Sequence, residues 1–227
     1  MAVIDIQNLT REFHESIVPV RAVDDLNLQV EQGEFTAIVG PSGSGKTTLL
    51  NMIGGLDTPT SGTVVIDGTN LYSLSDKALT RFRLENIGFV FQAYNLIPVL
   101  SAFENAEFTM LLQKQSEKER SERVTDLLKR VGLEDRMQSR PGQLSGGEQQ
   151  RVAVVRALAT KPKFILADEP TANLDSKATA TLLDIMAELN REEGITFVFA
   201  THDQRVIDRA RRVVTVEDGH VVSDEGR

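Results

Sequence analysis

One stretch constrains this chain more than any other: Gly40-Pro41-Ser42-Gly43-Ser44-Gly45-Lys46-Thr47-Thr48. It follows an apolar run of β character, Phe35-Thr36-Ala37-Ile38-Val39, and opens into Leu49-Leu50-Asn51-Met52-Ile53, which can continue as a helix. A Gly-x-x-x-x-Gly-Lys-Thr pattern between a strand and a helix is a phosphate loop. Its glycines let successive backbone N–H groups turn inward as an anion nest. The helix start adds unpaired donors and the positive end of its dipole. Lys46 can reach the β- and γ-phosphates, and the Thr47 hydroxyl can ligate Mg²⁺. A chance Gly/Ser-rich turn would lack these flanks, so the sequence implies binding of a nucleoside triphosphate.

Composition narrows the setting. With 227 residues, 41% hydrophobic and 26% charged, the chain can bury the core of one large domain, with or without an inserted subdomain. No apolar run approaches the roughly 20 residues of a membrane-spanning helix. The start, Met1-Ala2-Val3-Ile4-Asp5, lacks a basic flank and an apolar stretch of signal-peptide length, so a cytosolic location is expected. The absence of Cys fits a reducing compartment and excludes disulfides and thiolate metal sites. A net charge of -8 argues against a nucleic-acid scaffold, which usually carries a basic footprint.

Taken in order, residues 3–6 and 21–30 read as strands, with Thr10-Arg11-Glu12-Phe13-His14 as a polar turn between them. Phe13 there suits a hairpin or core position, or contact with a ligand. Residues 62–68 read as a strand ending in an Asp-Gly turn, 75–83 as a short helix, and 87–91 as a buried strand with Gln92 at its exit. From 93 to 160 the pattern is helical, with capping boxes at Ser101/Glu104, Ser116/Glu119 and Ser145/Glu148. This block reads as a helical subdomain inserted between core segments 1–92 and 161–227. Beyond it, 164–167 is a continuous apolar strand followed by Asp168-Glu169-Pro170. Asp175 or Ser176 caps a helix stopped by Gly194, 196–200 is a buried strand leading to Thr201-His202, and a hairpin closes the chain. Strands alternating with helices imply an α/β fold, a mainly parallel sheet whose ligand crevice lies at the strands' carboxyl ends. Gly40, Gln92, Asp168 and His202 each follow a strand and converge on that edge.

Chemistry assigns distinct roles there. Asp168 can hold Mg²⁺ opposite Thr47. Glu169 beside it can take a proton from an attacking water. Gln92 can ligate metal and orient water, and His202 can donate to a γ-phosphate oxygen. Leu144-Ser145-Gly146-Gly147-Glu148 is a second anion site, where a capped helix begins with bare Gly-Gly donors. A capped helix start is sufficient reason for that pattern. A second triphosphate-tail site makes sense if it faces the nucleotide of another copy.

These segments, in this order, resemble the nucleotide-binding subunit of an ATP-binding cassette (ABC) transporter: the loop at 40–48, Gln92, Leu-Ser-Gly-Gly-Glu at 144–148, Phe-Ile-Leu-Ala-Asp-Glu at 164–169, Asn173-Leu174-Asp175, and His202. Gly54-Gly55-Leu56-Asp57, Gly88-Phe89-Val90-Phe91-Gln92 and Asn95-Leu96-Ile97-Pro98 resemble its lipoprotein-releasing and macrolide-exporter (LolD/MacB/FtsE-like) branch. The resemblance implies a P-loop cassette, with an antiparallel β N-terminal part, that hydrolyses ATP with Mg²⁺. It implies two copies sandwiching two ATP head to tail. Gly40, Ser42, Gly43, Ser44, Gly45, Lys46, Thr47 and Thr48 would hold ATP in cis, while Ser145, Gly146, Gly147, Glu148 and Asp175 would meet the partner's ATP. Phe13 would stack on adenine, standing where the family more often has Tyr; Glu148 stands where this branch often has Gln. A membrane permease partner and a place on the cytoplasmic face of the cell membrane follow, with lipoprotein, peptide, drug or lipid as cargo. The alternative, a soluble cassette acting on DNA or ribosomes, usually carries a coiled-coil insertion, a second cassette or zinc cysteines, and none is present.

Overall fold

In the central strands successive side chains point to opposite faces, and both faces are apolar. Phe164, Leu166 and Val198 bury toward one side, Ile165, Ala167, Phe197 and Phe199 toward the other. Such strands are stable only between two layers, and the computed structural model, which describes residues 2–14 and 19–227, has that form. Its strands are β1 (Ala2–Phe13), β2 (Val20–Glu31), β3 (Phe35–Val39), β4 (Ser61–Ile66), β5 (Thr69–Asn70), β6 (Ile87–Val90), β7 (Phe164–Asp168), β8 (Thr196–Ala200), β9 (Arg212–Glu217) and β10 (His220–Gly226). The helices are α1 (Lys46–Ile53), α2 (Asp76–Asn86), α3 (Ala102–Leu112), α4 (Glu117–Arg130), α5 (Gly146–Ala159), α6 (Ser176–Glu193) and α7 (Gln204–Ile207).

Six strands form a sheet in the order β10-β9-β3-β8-β7-β6, parallel except for the β9–β10 hairpin. Four form an antiparallel sheet, β2-β1-β4-β5. Apolar residues of the antiparallel sheet, α1 and one face of the larger sheet share one buried cluster. The opposite face shares another with α3, α4, α5 and α6. The α/β class expected from the sequence is therefore the observed one.

Local signals acted as their chemistry requires. In α3, α4 and α5 the N-cap serine oxygen accepts from the N3 amide while the N3 glutamate accepts from the serine amide. At α6 the cap is Asp175, accepting from the Ala178 amide at 2.8 Å, which decides between the two candidates. Two boundaries differ from the sequence reading. Thr10 to Phe13 is not a turn but the end of β1, paired with β2 as far as Phe13 opposite Val20. The Asp24-Asp25 break becomes an irregularity in that ladder: Asp25 takes φ 47° and its amide donates to the Thr10 hydroxyl oxygen at 3.0 Å. The second helix also runs beyond Arg83 to Asn86, whose side-chain amide donates to Phe82 O and holds the last turn.

Candidate functional site

The loop from Gly40 to Gly45 is pressed between strands. A Cβ on Gly40 would lie 2.0 Å from Val216 O, and one on Gly45, at φ 99°, 2.0 Å from Ala22 O. Neither position admits a side chain, so β9 and β2 hold the loop's curl from outside. From inside, the nearly buried Lys46 donates from Nζ to Gly40 O and Pro41 O, both at 2.8 Å. The ammonium is thereby fixed over the mouth of the loop. It lines a cavity of about 520 Å³ together with Thr47, Thr48, Gln92, Glu169 and His202. Gly40, Ser42, Gly43 and Gly45 complete its loop wall, whereas the buried Ser44 stands behind the wall with its hydroxyl 3.5 Å from the Lys46 ammonium.

Opposite the loop, the Thr47 hydroxyl donates to Asp168 Oδ1 at 3.1 Å. Burial pushes the Asp168 carboxyl above its ordinary range; the Thr47 hydrogen bond opposes this, neighbouring Glu169 adds to it, and Lys46 opposes it. Oxygen donors from a hydroxyl, a carboxylate and the nearby Gln92 amide are the hard ligands that suit Mg²⁺, which takes few protein ligands and the rest from phosphates and water. Among the described residues no group of three or more His, Cys, Asp or Glu could hold a metal.

Glu169 occupies φ 44°, an uncommon conformation for a residue with a long side chain. Its amide donates to Ala200 O at 2.9 Å. The carboxylate is held at both oxygens: Thr201 Oγ1 donates to Oε2 at 3.0 Å, and His202 Nδ1 lies 2.6 Å from Oε1. The His202 ring is 77% exposed, while Glu169 is only 16% exposed and held at both oxygens. Beyond them Thr171 Oγ1 donates to Asp203 Oδ2 at 2.7 Å, and hydrogen bonds led by Arg205 bring the Asp203 carboxyl down to about 2. Two segments that end adjacent strands are thus laced together across 169–171 and 201–203. Thr201 and Asp203 were given no role by sequence; Asn173, of the Asn173-Leu174-Asp175 segment, donates from its side-chain amide to Gln92 O at 3.0 Å. Short polar residues beside a named site carry no periodicity or spacing that would reveal them.

Two groups of expected site residues stand apart from this cavity. Phe13 does not line it; the ring is half-buried under the Arg11 guanidinium, 4.5 Å from its centroid, and among the described residues of that hairpin only Ala22 reaches the cavity. Ser145, Gly146, Gly147, Glu148 and Asp175 lie outside it too. Ser145 is exposed at the start of α5, and the hydrogen bond from its amide holds the Glu148 carboxyl below its ordinary range. Asp175 starts α6 alongside, where a Cβ on Gly147 would lie 2.9 Å from Ala178 Cβ.

A phosphate loop at the carboxyl edge of a parallel sheet, facing an Asp-Glu pair, defines a P-loop nucleoside triphosphatase. Within that class, the family described as ABC transporter matches residues 23–172. ABC transporter ATP-binding protein YvrO of Bacillus subtilis is 46% identical over 222 residues, covering 98% of this chain and 96% of that protein. The macrolide export ATP-binding/permease protein MacB of Hyphomonas neptunium is 46% identical, and the chain spans 34% of its length. A solved dimeric structure of the MJ0796 cassette, in a post-hydrolysis state with ADP and Pi, has a TM-score of 0.90 at 43% identity and 98% coverage of both chains. The chain belongs to the ABC transporter family, in the branch that contains MacB and MJ0796, and is an ATP-binding subunit with ATPase activity.

Proposed function

We propose that two copies of this chain close head to tail around two ATP and drive a membrane permease that exports or releases a lipoprotein, peptide, drug or lipid. The observation that carries this is the division of the expected site. One cavity holds the phosphate loop, Gln92, Glu169 and His202, while Ser145 and its bare helix start are exposed outside it. The dimeric MJ0796 cassette supports a second copy bringing them together. In this reading residues 93–160 act as a helical subdomain against the core of 1–92 and 161–227, carrying Ser145 toward the partner's nucleotide.

Loop amides, Lys46 and Thr48 hold the phosphates, and Phe13 stacks on adenine once ATP draws the β1–β2 hairpin inward. Thr47, Asp168 and Gln92 would hold Mg²⁺, which would supply positive charge against the triphosphate. His202 exchanges its Glu169 contact for a γ-phosphate oxygen. That frees Glu169 Oε1 to accept a proton from water aligned by Gln92. Ser145, Gly146, Gly147, Glu148 and Asp175 complete the site from the partner. Ser145→Arg places a long cation where the partner's triphosphate must seat. It should abolish the ATP-dependent dimer while a fluorescent ATP analogue still binds the monomer, and a dimer of unchanged stability would contradict this role.

The permease surface is a second cavity of about 400 Å³, lined by Phe89, Phe91 and Leu84 with Arg83 and Arg156, and without an acidic residue. Arg156 donates to Asn95 O and Tyr94 O, tying the Gln92 loop to α5. Leu96 and Ile97, neither fully buried, follow in that loop. An apolar groove with a cationic edge suits an amphipathic cytoplasmic helix of the permease. Since the chain has no Cys, a single cysteine at Ile97 or Thr80 gives an unambiguous probe. It should cross-link to a cytoplasmic segment of the co-purifying permease, whereas protection of neither position in the complex would contradict docking here. No helix of the described residues is long and apolar enough to cross a membrane, so attachment through this groove makes the subunit peripheral, on the cytoplasmic face. A net charge of -8 argues against nucleic acid as the partner.

A further inference from the structure

Gln150 has a buried side chain whose position the reading of the site above does not use. It lies in the second turn of α5 and is wholly inaccessible to solvent. Its amide nitrogen donates to Pro170 O at 2.8 Å and to Phe91 O at 3.4 Å. Pro170 directly follows Glu169, and Phe91 directly precedes Gln92. One amide therefore grips the backbone of both segments that present the reacting side chains. Two carbonyls on one side decide which end of the amide faces them. The other end, Oε1, is buried with no hydrogen-bond partner among the described residues. A buried acceptor without a donor is unfavourable, and an apolar side chain of similar size would avoid it. Packing alone does not account for an amide here; the paired grip on 91 and 170 does.

The same helix begins with Ser145, about 7.5 Å away along the axis at 1.5 Å per residue. We propose that Gln150 is a positioning residue, setting Gln92 and Glu169 from the helix whose start meets the second nucleotide. Seating of Ser145 on the partner's ATP is then transmitted through a rigid turn and a half to the reacting groups of its own subunit. This rests on the reading of Glu169 and Gln92 as acting at the γ-phosphate.

Gln150→Met keeps the volume and removes the donor. With MgATP, the purified variant should lose about 10- to 100-fold in kcat, the scale of small misplacements of reacting groups. KM for ATP should stay within about twofold, because the phosphate loop is untouched. In a Glu169→Gln background the same change should lower the residual rate by clearly less than its 10- to 100-fold effect in the wild type, since the part that runs through Glu169 is already lost. A purely structural residue would add its full effect there and would raise KM or lower Tm. Should Gln150→Met not fold, Gln150→Glu keeps the shape but turns an oxygen on the two carbonyls, and the same readouts apply. Wild-type kcat in a variant, a proportional rise in KM, or additivity with Glu169→Gln overturns the proposal, as does failure of both variants to fold. A Glu169→Gln protein that turns over at the wild-type rate overturns the reading of Glu169 and this proposal with it. An inactive Glu169→Gln beside a fully active Gln150→Met overturns the positioning role alone.

Discussion

Glu169→Gln lowers ATP turnover by about 10²–10⁴-fold, the usual contribution of a positioned general base, while ATP binding persists. The geometry separates the two effects. Glu169 is held by Thr201 at one oxygen and by His202 at the other, and the Gln side chain retains the oxygen that accepts from Thr201. Its shape and its place at φ 44° are therefore kept, and only the proton-accepting charge is lost. The groups proposed to bind phosphate, Lys46, Thr47 and the loop amides, are untouched. Removing one negative charge from beside the triphosphate also relieves repulsion, so affinity stays level or tightens. Phosphate release under single-turnover conditions, alongside titration of a fluorescent ATP analogue, checks both halves. Turnover at the wild-type rate removes Glu169 from the reaction.

Lys46→Ala is expected to abolish tight ATP binding. In the structure the ammonium lies on two loop carbonyls, Gly40 O and Pro41 O, and turns a wall that includes acceptors into one presenting a cation. Truncation removes that charge and leaves both carbonyls facing the phosphates. Losing one partner of a buried charge interaction costs about 2–5 kcal/mol, a fall in affinity of about 30-fold or more. The loop's shape should survive, because β9 and β2 still pack against Gly40 and Gly45 from outside, so closely that a Cβ at either glycine would lie 2.0 Å from Val216 O or Ala22 O. Equilibrium titration with ATP, with Tm measured in parallel, distinguishes lost affinity from lost fold. Unchanged affinity in a folded variant would refute the assignment of the loop.

What could be read from sequence follows a physical division. The phosphate loop and the three capping boxes were legible because each is a local contract, met within a few residues by backbone donors and side-chain acceptors. The convergence of Gln92, Glu169 and His202 with the loop was legible because parallel strands deliver their carboxyl ends to one edge. The end of β1 was not: Thr10 to Phe13 alternate poorly, and their strand state comes from pairing with β2, a long-range fact. Nor was the strained backbone of Glu169, imposed by Ala200 and Thr201 on the neighbouring strand. Gln150 was hidden among the polar residues of a helix start, and only tertiary packing shows its amide turned inward.

The central claim is a site completed only when two copies close on ATP, and the molar mass of the Glu169→Gln chain in solution tests it most directly. Size-exclusion chromatography with light scattering should give a monomer of 25.1 kDa without nucleotide. With ATP it should give twice that mass, because the nucleotide joining the subunits is no longer hydrolysed. Each copy carries a net charge of -8 and salt screens the repulsion between them, so the measurement is made across a range of salt. A protein that binds ATP yet remains at the monomer mass throughout that range would contradict the account.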